Sequence, residues 1–227
     1  IALGPCYIKF GQNLAYQAKK FNGLKSLQDD VPYTTQDHIA IKQFLKTINP
    51  DIKLCSDTPI ANASIATVFK AKCYGETIVL KILKPGIRDE FILNKSWFWV
   101  IGVILSIYFR SDMEREMCRQ WVEAIEPQFD FINEYKMWLK YFNANLCYTN
   151  SSMILIPKMY GNMCTSDMIV MEFVPGVSID DMTHSEKHYV ACTLVDHFFW
   201  TIIKNQMVHS DLHSGNIALK RAAEGGE

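Results

Sequence analysis

The sequence lacks several features that would each indicate a particular class of protein. Its 23 Lys and Arg residues are balanced by 24 Asp and Glu residues. It therefore has neither the basic excess expected of a nucleic-acid-binding protein nor a polybasic membrane patch. Its seven cysteines include no C-x-x-C pair, which argues against a disulfide framework and a zinc ribbon. We expect a protein from a reducing compartment that does not bind nucleic acid.

The sequence also lacks an apolar run of the length that a membrane-spanning helix needs. The longest run covers residues 97–109, which is 13 residues, whereas a spanning helix needs about 20. Trp97, Trp99 and Tyr108 lie near its ends, a pattern typical of a membrane interface. The run predicts a buried or interfacial helix, and a membrane surface stays open as a partner.

The spacing of the apolar residues predicts an α+β protein with too few strands for a doubly wound sheet. In chain order the predicted elements are helices to about residue 49, strands at 64–73 and 77–83, helices over 87–146, short strands at 153–157 and 168–173, and a helix over 185–207. Pro127 is expected in the first turn of a helix. This order is that of a small sheet-containing lobe followed by a helical lobe.

Residues 209–216 (His-Ser-Asp-Leu-His-Ser-Gly-Asn) form the most informative segment. They place Asp211 and Asn216 at the spacing of a kinase catalytic loop, where the Asp orients a substrate hydroxyl and the Asn holds a divalent metal. Two alternatives stay open. One is a zinc or iron site built from His209, Asp211 and His213, and the other is a solvated loop that closes the preceding helix.

Lys81 lies within the apolar strand predicted at 77–83. Burying its ammonium group without a partner would cost several kcal/mol, so the position predicts an anionic partner. We expect Glu134, in the helix after Pro127, together with the phosphates of a nucleotide. The alternative is a Lys that snorkels from a sheet edge. The small side chains of residues 59–64 allow close approach to phosphates in a loop stiffer than a glycine-rich one.

Four motifs, in this order, resemble those of the UbiB-type atypical kinases, also called the ADCK family, which are associated with coenzyme Q biosynthesis. They are residues 9–12 (the KxGQ signature), 61–64 (an alanine-rich loop), 79–86 (the strand Lys with the following Pro-Gly) and 209–216 (the catalytic loop). The ordered set covers nearly the whole chain and is more specific than any single member.

The resemblance implies a protein-kinase-like, two-lobed α+β fold with an N-terminal helical extension and a truncated large lobe. The implied domains are the extension at 1–50, the small lobe with a helical insert at 51–174, and the start of the large lobe at 175–227. It implies an ATPase or small-molecule kinase that uses ATP and Mg²⁺ and supports ubiquinone or isoprenoid-lipid metabolism. A lipid or quinone precursor is a further implied ligand, and a mitochondrial or bacterial membrane-associated location is suggested.

The resemblance also assigns roles to particular residues. The implied catalytic residues are Asp211, Lys81, Glu134 and Lys9, the implied nucleotide contacts are Ala61, Ala63, Ser64, Lys81, Glu172 and Val174, and the implied metal ligands are Asn216 and Gln128. Lys9 and Gln12 are three positions apart and would share one face of a helix. That helix is expected to lie across the active site and to obstruct peptide substrates.

The sequence departs from the family pattern at the metal site and at both ends. Gln128 stands where the family has Glu, and an amide oxygen can coordinate a cation but adds no charge. No DFG-type triplet follows the catalytic loop before Glu227, and the chain begins with Ile1 rather than Met. We expect a fragment. The alternative is an incomplete metal site, in which case the protein would be a catalytically weak nucleotide- or lipid-binding regulator.

Overall fold

The computed structural model describes residues 33–146, 148, 153–209 and 212–221. Its helices are α1 (Thr35–Ile48), α2 (Ile87–Phe109), α3 (Met113–Ile125), α4 (Phe131–Asn145) and α5 (His184–Asn205), with short 3-10 turns at Glu126–Phe129 and Ser214–Asn216. Its strands are β1 (Lys53–Leu54), β2 (Ala61–Asn62), β3 (Ala66–Cys73), β4 (Glu76–Leu83), β5 (Met168–Glu172), β6 (Val177–Ser178) and β7 (Ala218–Leu219). The mixed helix and sheet content confirms the predicted α+β class.

The described residues divide into two compact units. The first contains the residues up to Tyr135 together with Met159–Met171, and the second contains Lys136–Lys158 and the residues from Glu172 onward. The first unit carries a five-stranded sheet with the order β1-β3-β4-β5, in which β2 also pairs with β3. The second carries the β6-β7 pair, whose register aligns Val177 with Leu219.

Two hydrophobic clusters of the first unit follow from the alternation of side chains along the strands. Ile78, Leu80 and Ile82 of β4 belong to one cluster, where Ile41 and Leu45 of α1 join them. Leu83 belongs to the other cluster, together with residues of α2 and the start of α4. Because successive side chains of a strand point to opposite faces, Lys81 shares its face with Leu83.

The start of α4 is held by polar contacts from three directions. Asp130 Oδ1 accepts a hydrogen bond from the backbone N–H of Ile132 at 3.0 Å. The guanidinium of Arg88 donates to the Phe129 carbonyl, with Nη2 at 2.7 Å, and pairs with Asp167 Oδ1 at 2.9 Å. Pro127 lies in the first turn of a helix, as expected, but this helix is the 3-10 turn before α4.

Helix α2 is longer and more exposed than the sequence indicated. It has 23 residues, so the apolar run at 97–109 is its second half. By length and composition alone α2 could cross a membrane, and only 17% of its apolar window is buried. Gly102 lets α3 approach closely, because a Cβ there would lie 3.1 Å from Cys118 Cβ. The alternative of a buried helix is therefore wrong for its outer side.

The strand predicted at 153–157 is absent. Residues 154–158 have no regular secondary structure, and Trp138 Nε1 of α4 donates to the Pro157 carbonyl at 3.1 Å. A short apolar run is not enough to identify a strand, because other secondary structure can contain the same pattern. Strand β7, which follows the catalytic-loop segment, pairs with the earlier β6.

Candidate functional site

Lys81 and Glu134 form an ion pair in the first unit. Lys81 Nζ lies 2.7 Å from Glu134 Oε1 and 2.8 Å from Oε2. Strand β4 lies between β3 and β5, so the alternative of a Lys that snorkels from a sheet edge is wrong. The structure thus brings together the two residues that the sequence analysis paired across 53 positions.

The surroundings of this pair indicate what it can do chemically. The side chains are 28% and 40% exposed, and an exposed or partly exposed pair contributes only about 1 kcal/mol or less to stability. An ammonium group has three N–H donors, of which Glu134 engages two. The ring of Phe131 lies 5.1 Å from Nζ. The pair therefore orients a cation whose third donor can serve an additional anion.

The small-residue loop lies in register with Lys81. Ala61 of β2 is paired with Val68 of β3, and Val68 is paired with Lys81 of β4. Partners directly opposite each other project from the same face of a sheet, so Ala61 and Lys81 share a face two strands apart. Ala63 is also exposed. Ser64 is buried, so a nucleotide contact there would use its backbone.

The segment predicted as the hinge has part of its hydrogen-bonding capacity already engaged. The backbone N–H of Glu172 donates to the Lys158 carbonyl at 2.8 Å, and the Lys158 N–H donates to Glu172 Oε2 at 3.2 Å. Glu172 can therefore offer its carbonyl to an adenine, and Val174 its backbone. That role stays a prediction for both residues.

The carboxylates beside Gln128 are engaged in protein contacts. Glu126 Oε1 accepts a hydrogen bond from Lys95 Nζ at 2.7 Å, and Asp130 caps α4. Gln128 itself is exposed in the 3-10 turn. Within the part of the chain that the structure describes, no three His, Cys, Asp or Glu side chains come together to hold a metal ion. Glu126 is thus poorly placed to replace the charge that Gln128 lacks.

Only part of the predicted catalytic loop belongs to the described residues. Asp211 and Lys9 lie outside them, and their predicted roles stay predictions. Asn216 Nδ2 lies 3.1 Å from His213 Nε2, while His213 Nδ1 accepts a hydrogen bond from the Gly215 N–H at 3.1 Å. His213 Nδ1 is therefore engaged within the loop and Nε2 lies beside the Asn216 amide, which disfavours the use of His213 as a zinc or iron ligand.

A polar pair in the second unit, a half-buried Tyr and a buried His, lies beside the first residue of this loop. Tyr141 Oη of α4 and His197 Nε2 of α5 lie 2.9 Å apart. The ring of Tyr141 also packs edge-on against His209, with centroids 5.8 Å apart. Sequence reasoning missed both Tyr141 and His197. The available signal was a His within the apolar helix before the loop.

The buried imidazole predicts a pH dependence of stability. Burial lowers the pKa of His197, which is 5% exposed, and nearby Asp196 opposes this only in part. Since the unfolded pKa is about 6.5, the stability that the neutral ring contributes is present above about pH 6.5 and is lost below it. One proton gives a slope of at most about 1.4 kcal/mol per pH unit.

Urea unfolding of the full-length protein between about pH 7.5 and pH 5 measures this slope. His197→Gln keeps a hydrogen-bonding group but cannot titrate there, so we expect a shallower loss of stability than in wild type. His188→Gln, at an exposed position of the same helix, should retain the wild-type slope because His197 is still present. Equal slopes in wild type and His197→Gln would contradict the prediction.

Comparisons with known proteins show the family of this chain. Residues 26–224 match the model of the ABC1 atypical kinase-like domain. A probable protein kinase UbiB from Shewanella loihica is 31% identical over 95% of this chain and 42% of its own length. One from Pseudomonas fluorescens is 27% identical over 95% of this chain and 43% of its own length. The chain therefore spans less than half the length of these relatives.

A solved structure supports the fold independently. The Rv3197–erythromycin complex from Mycobacterium tuberculosis superimposes with a TM-score of 0.66 at 20% sequence identity, over 79% of this chain and 47% of that one. The sheet, the strand Lys and its helix Glu define a protein-kinase-like α+β fold. The chain belongs to the ABC1 atypical kinase-like family, of the UbiB type.

Proposed function

We propose that the full-length protein binds ATP and acts as an atypical kinase or ATPase. The observation that carries this proposal is the Lys81–Glu134 pair, since it holds an ammonium donor on the sheet face that Ala61 also shares. Its relatives are named as probable protein kinases, which supports a phosphotransferase-type activity. The family resemblance supports a role in ubiquinone or isoprenoid-lipid metabolism.

The chemistry follows from the donors that the residues provide. Lys81 would donate to phosphate oxygens, while Glu134 keeps its ammonium in place. Asp211 would orient the hydroxyl or water that accepts the phosphoryl group. The amide oxygens of Asn216 and Gln128 are hard ligands that suit Mg²⁺, which when bound neutralises phosphate charge. Lys9 would lie beside the nucleotide and exclude peptides, so we propose a small-molecule acceptor or water.

A second function, a nucleotide- or lipid-binding regulator with weak catalysis, rests on a different observation. Gln128 brings no charge to the predicted metal site, and its neighbours Glu126 and Asp130 are engaged elsewhere. A site with fewer carboxylates binds a divalent cation more weakly. This alternative predicts that nucleotide binds but is hydrolysed very slowly.

The test measures unfolding of the full-length protein with ATP, with and without Mg²⁺, together with the release of phosphate. Stabilisation by ATP with hydrolysis supports the enzyme, and stabilisation without hydrolysis supports the regulator. A ligand that binds only the folded state must raise its stability. Absence of any stabilisation at saturating ATP would rule out the enzyme and a regulator that binds nucleotide.

Gln128→Glu should strengthen the magnesium dependence of ATP binding. The added carboxylate places a negative charge near the predicted cation, and an effect on the order of 1 kcal/mol is expected for a charge at an exposed site. Magnesium titrations of ATP affinity should therefore shift about fivefold towards lower metal concentration. Gln120→Glu, which adds the same charge on exposed α3, is the control. An identical response in both variants would remove Gln128 from the metal site.

A further inference from the structure

A second lysine of the first unit, Lys84, lies on the opposite face of the sheet from Lys81. It directly follows β4, and its backbone N–H continues the strand pairing by donating to the Ile65 carbonyl at 2.9 Å. Side chains alternate along a strand, so Lys84 shares its face with Ile82, which belongs to the cluster that contains residues of α1. A site built around Lys84 is therefore separate from the proposed nucleotide site.

The ammonium group of Lys84 is buried without compensation. Its Nζ is shielded from solvent and has no hydrogen-bond partner among the described residues. Asp37 lies nearby, but its Oδ2 accepts hydrogen bonds from the backbone N–H and the hydroxyl of Thr34 in the capping box of α1. Burial lowers the pKa of Lys84, and Asp37 opposes this only in part. A buried cation without a partner is unfavourable, so this position favours an anionic ligand.

A cavity of about 290 Å³ adjoins this lysine. Lys84 lines it together with Ala40, Ile41 and Phe44 of α1 and with the Pro85–Gly86 turn that leads into α2. The stem of a Lys is flexible, so rotation about its side-chain bonds can turn the ammonium into the cavity. Small-molecule sites combine such an apolar wall with a few polar groups, and their volumes begin at roughly 300 Å³. The cavity therefore suits a compact ligand.

The other charges around the cavity limit the ligand to a single negative charge. Arg88 and Asp167 also line it and are paired with each other at 2.9 Å. Asp89, exposed in the first turn of α2, lines it as well. The lining groups thus carry two positive and two negative charges. A dianion would meet the two carboxylates without a matching excess of positive charge, whereas one carboxylate can pair with Lys84.

We propose that the cavity beside Lys84 binds a monocarboxylate with a compact apolar body, whose carboxylate accepts hydrogen bonds from the Lys84 ammonium. This inference does not rest on the proposed catalytic function, and the assay is run without nucleotide. The probe is cyclohexanecarboxylate, added to the full-length protein, with its affinity measured by titration in saturation-transfer NMR. It should bind at millimolar concentration and raise the unfolding temperature.

Two comparison ligands separate charge from apolar contact. Cyclohexylmethanol has the same ring without the charge, and inorganic phosphate has charge without an apolar body. Each should bind about tenfold or more weakly than cyclohexanecarboxylate, because the first leaves the ammonium unpaired and the second leaves the apolar wall unfilled.

Variants of the full-length protein test the residues. Lys84→Met keeps the length of the side chain but removes its charge, and it should weaken cyclohexanecarboxylate binding about tenfold or more. Without ligand, this variant should unfold at the wild-type temperature or above it, because the lost ammonium had no partner. Ala40→Leu keeps Lys84 but fills the cavity, so it should weaken binding by a similar factor. This variant remains decisive if Lys84→Met does not fold. Lys81→Ala should bind the probe as wild type does.

Three results would overturn the proposal. The first is wild-type affinity for cyclohexanecarboxylate in Lys84→Met or in Ala40→Leu. The second is loss of binding in Lys81→Ala, which would place the probe at the proposed nucleotide site instead. The third is a wild-type protein that does not bind cyclohexanecarboxylate, or that binds cyclohexylmethanol or phosphate equally well.

Discussion

Lys81→Ala is expected to abolish most of the stabilisation that magnesium and ATP give the full-length protein. At a ligand concentration about 100 times the dissociation constant, that stabilisation is about 2.7 kcal/mol. Removing the ammonium group eliminates its donor and leaves the Glu134 carboxylate to repel phosphate. The pair is partly exposed, so without nucleotide the stability should change by about 1 kcal/mol or less. Chemical unfolding with and without ligand measures both quantities.

Lys95→Ala is a matched control for this experiment. Lys95 and Glu126 form a second Lys–Glu pair of the same length, 2.7 Å, with comparable exposure, but they lie between α2 and the 3-10 turn. We expect this variant to retain the full nucleotide-induced stabilisation. Should Lys81→Ala retain it as well, the assignment of the nucleotide site to Lys81 and Glu134 would have to be abandoned.

Arg88→Ala is expected to destabilise the protein by about 2–3 kcal/mol. The guanidinium donates to the carbonyl oxygens of Phe129 and Ser166 and pairs with Asp167. Hydrogen bonds to charged groups contribute about 1.5–3 kcal/mol, and removing one partner leaves the others unsatisfied. The measurement is urea unfolding of the full-length protein without nucleotide.

Two further variants show whether the effect depends on geometry. Arg88→Lys keeps the charge but cannot reproduce the planar fork of donors, so we expect it to recover less than half of the lost stability. Arg119→Ala removes an Arg whose ion pairs with Glu116 and Glu123 are exposed on α3. It should cost less than about 1 kcal/mol. Equal losses for Arg88→Ala and Arg119→Ala would show that Arg88 does not organise the start of α4.

Arg88 also explains why the start of the helix that carries Glu134 could not be read from the sequence. Glu134 lies in the first turn of α4, and that turn begins where Arg88 and Asp130 satisfy the backbone around Phe129. Arg88 and Phe129 are 41 positions apart. Pro127 gave a local signal for a helix start. It lies in the first turn of a 3-10 helix, however, and the α-helix begins four residues later.

The errors in the sequence analysis have the same origin. Apolar residues at 153–157 satisfy the local pattern of a strand. A strand also needs a neighbouring strand with free backbone groups, but here the side chain of Trp138 donates a hydrogen bond to the Pro157 carbonyl. The run at 97–109 was correctly predicted as helical, but its length was underestimated. The helix begins before this run, and Phe91 in its first half packs in the core. Charged residues in that first half had interrupted the apolar pattern of the sequence.

The sequence by itself determined the local features of this protein. The pattern of apolar residues specified β3 and β4, and the motif order identified the family. Tertiary structure alone decided which distant side chains meet, as for Tyr141 and His197, 56 positions apart, and left one side of α2 exposed. The reason is physical. Backbone preferences act within a few residues, whereas a contact between distant residues depends on the packing of every element between them.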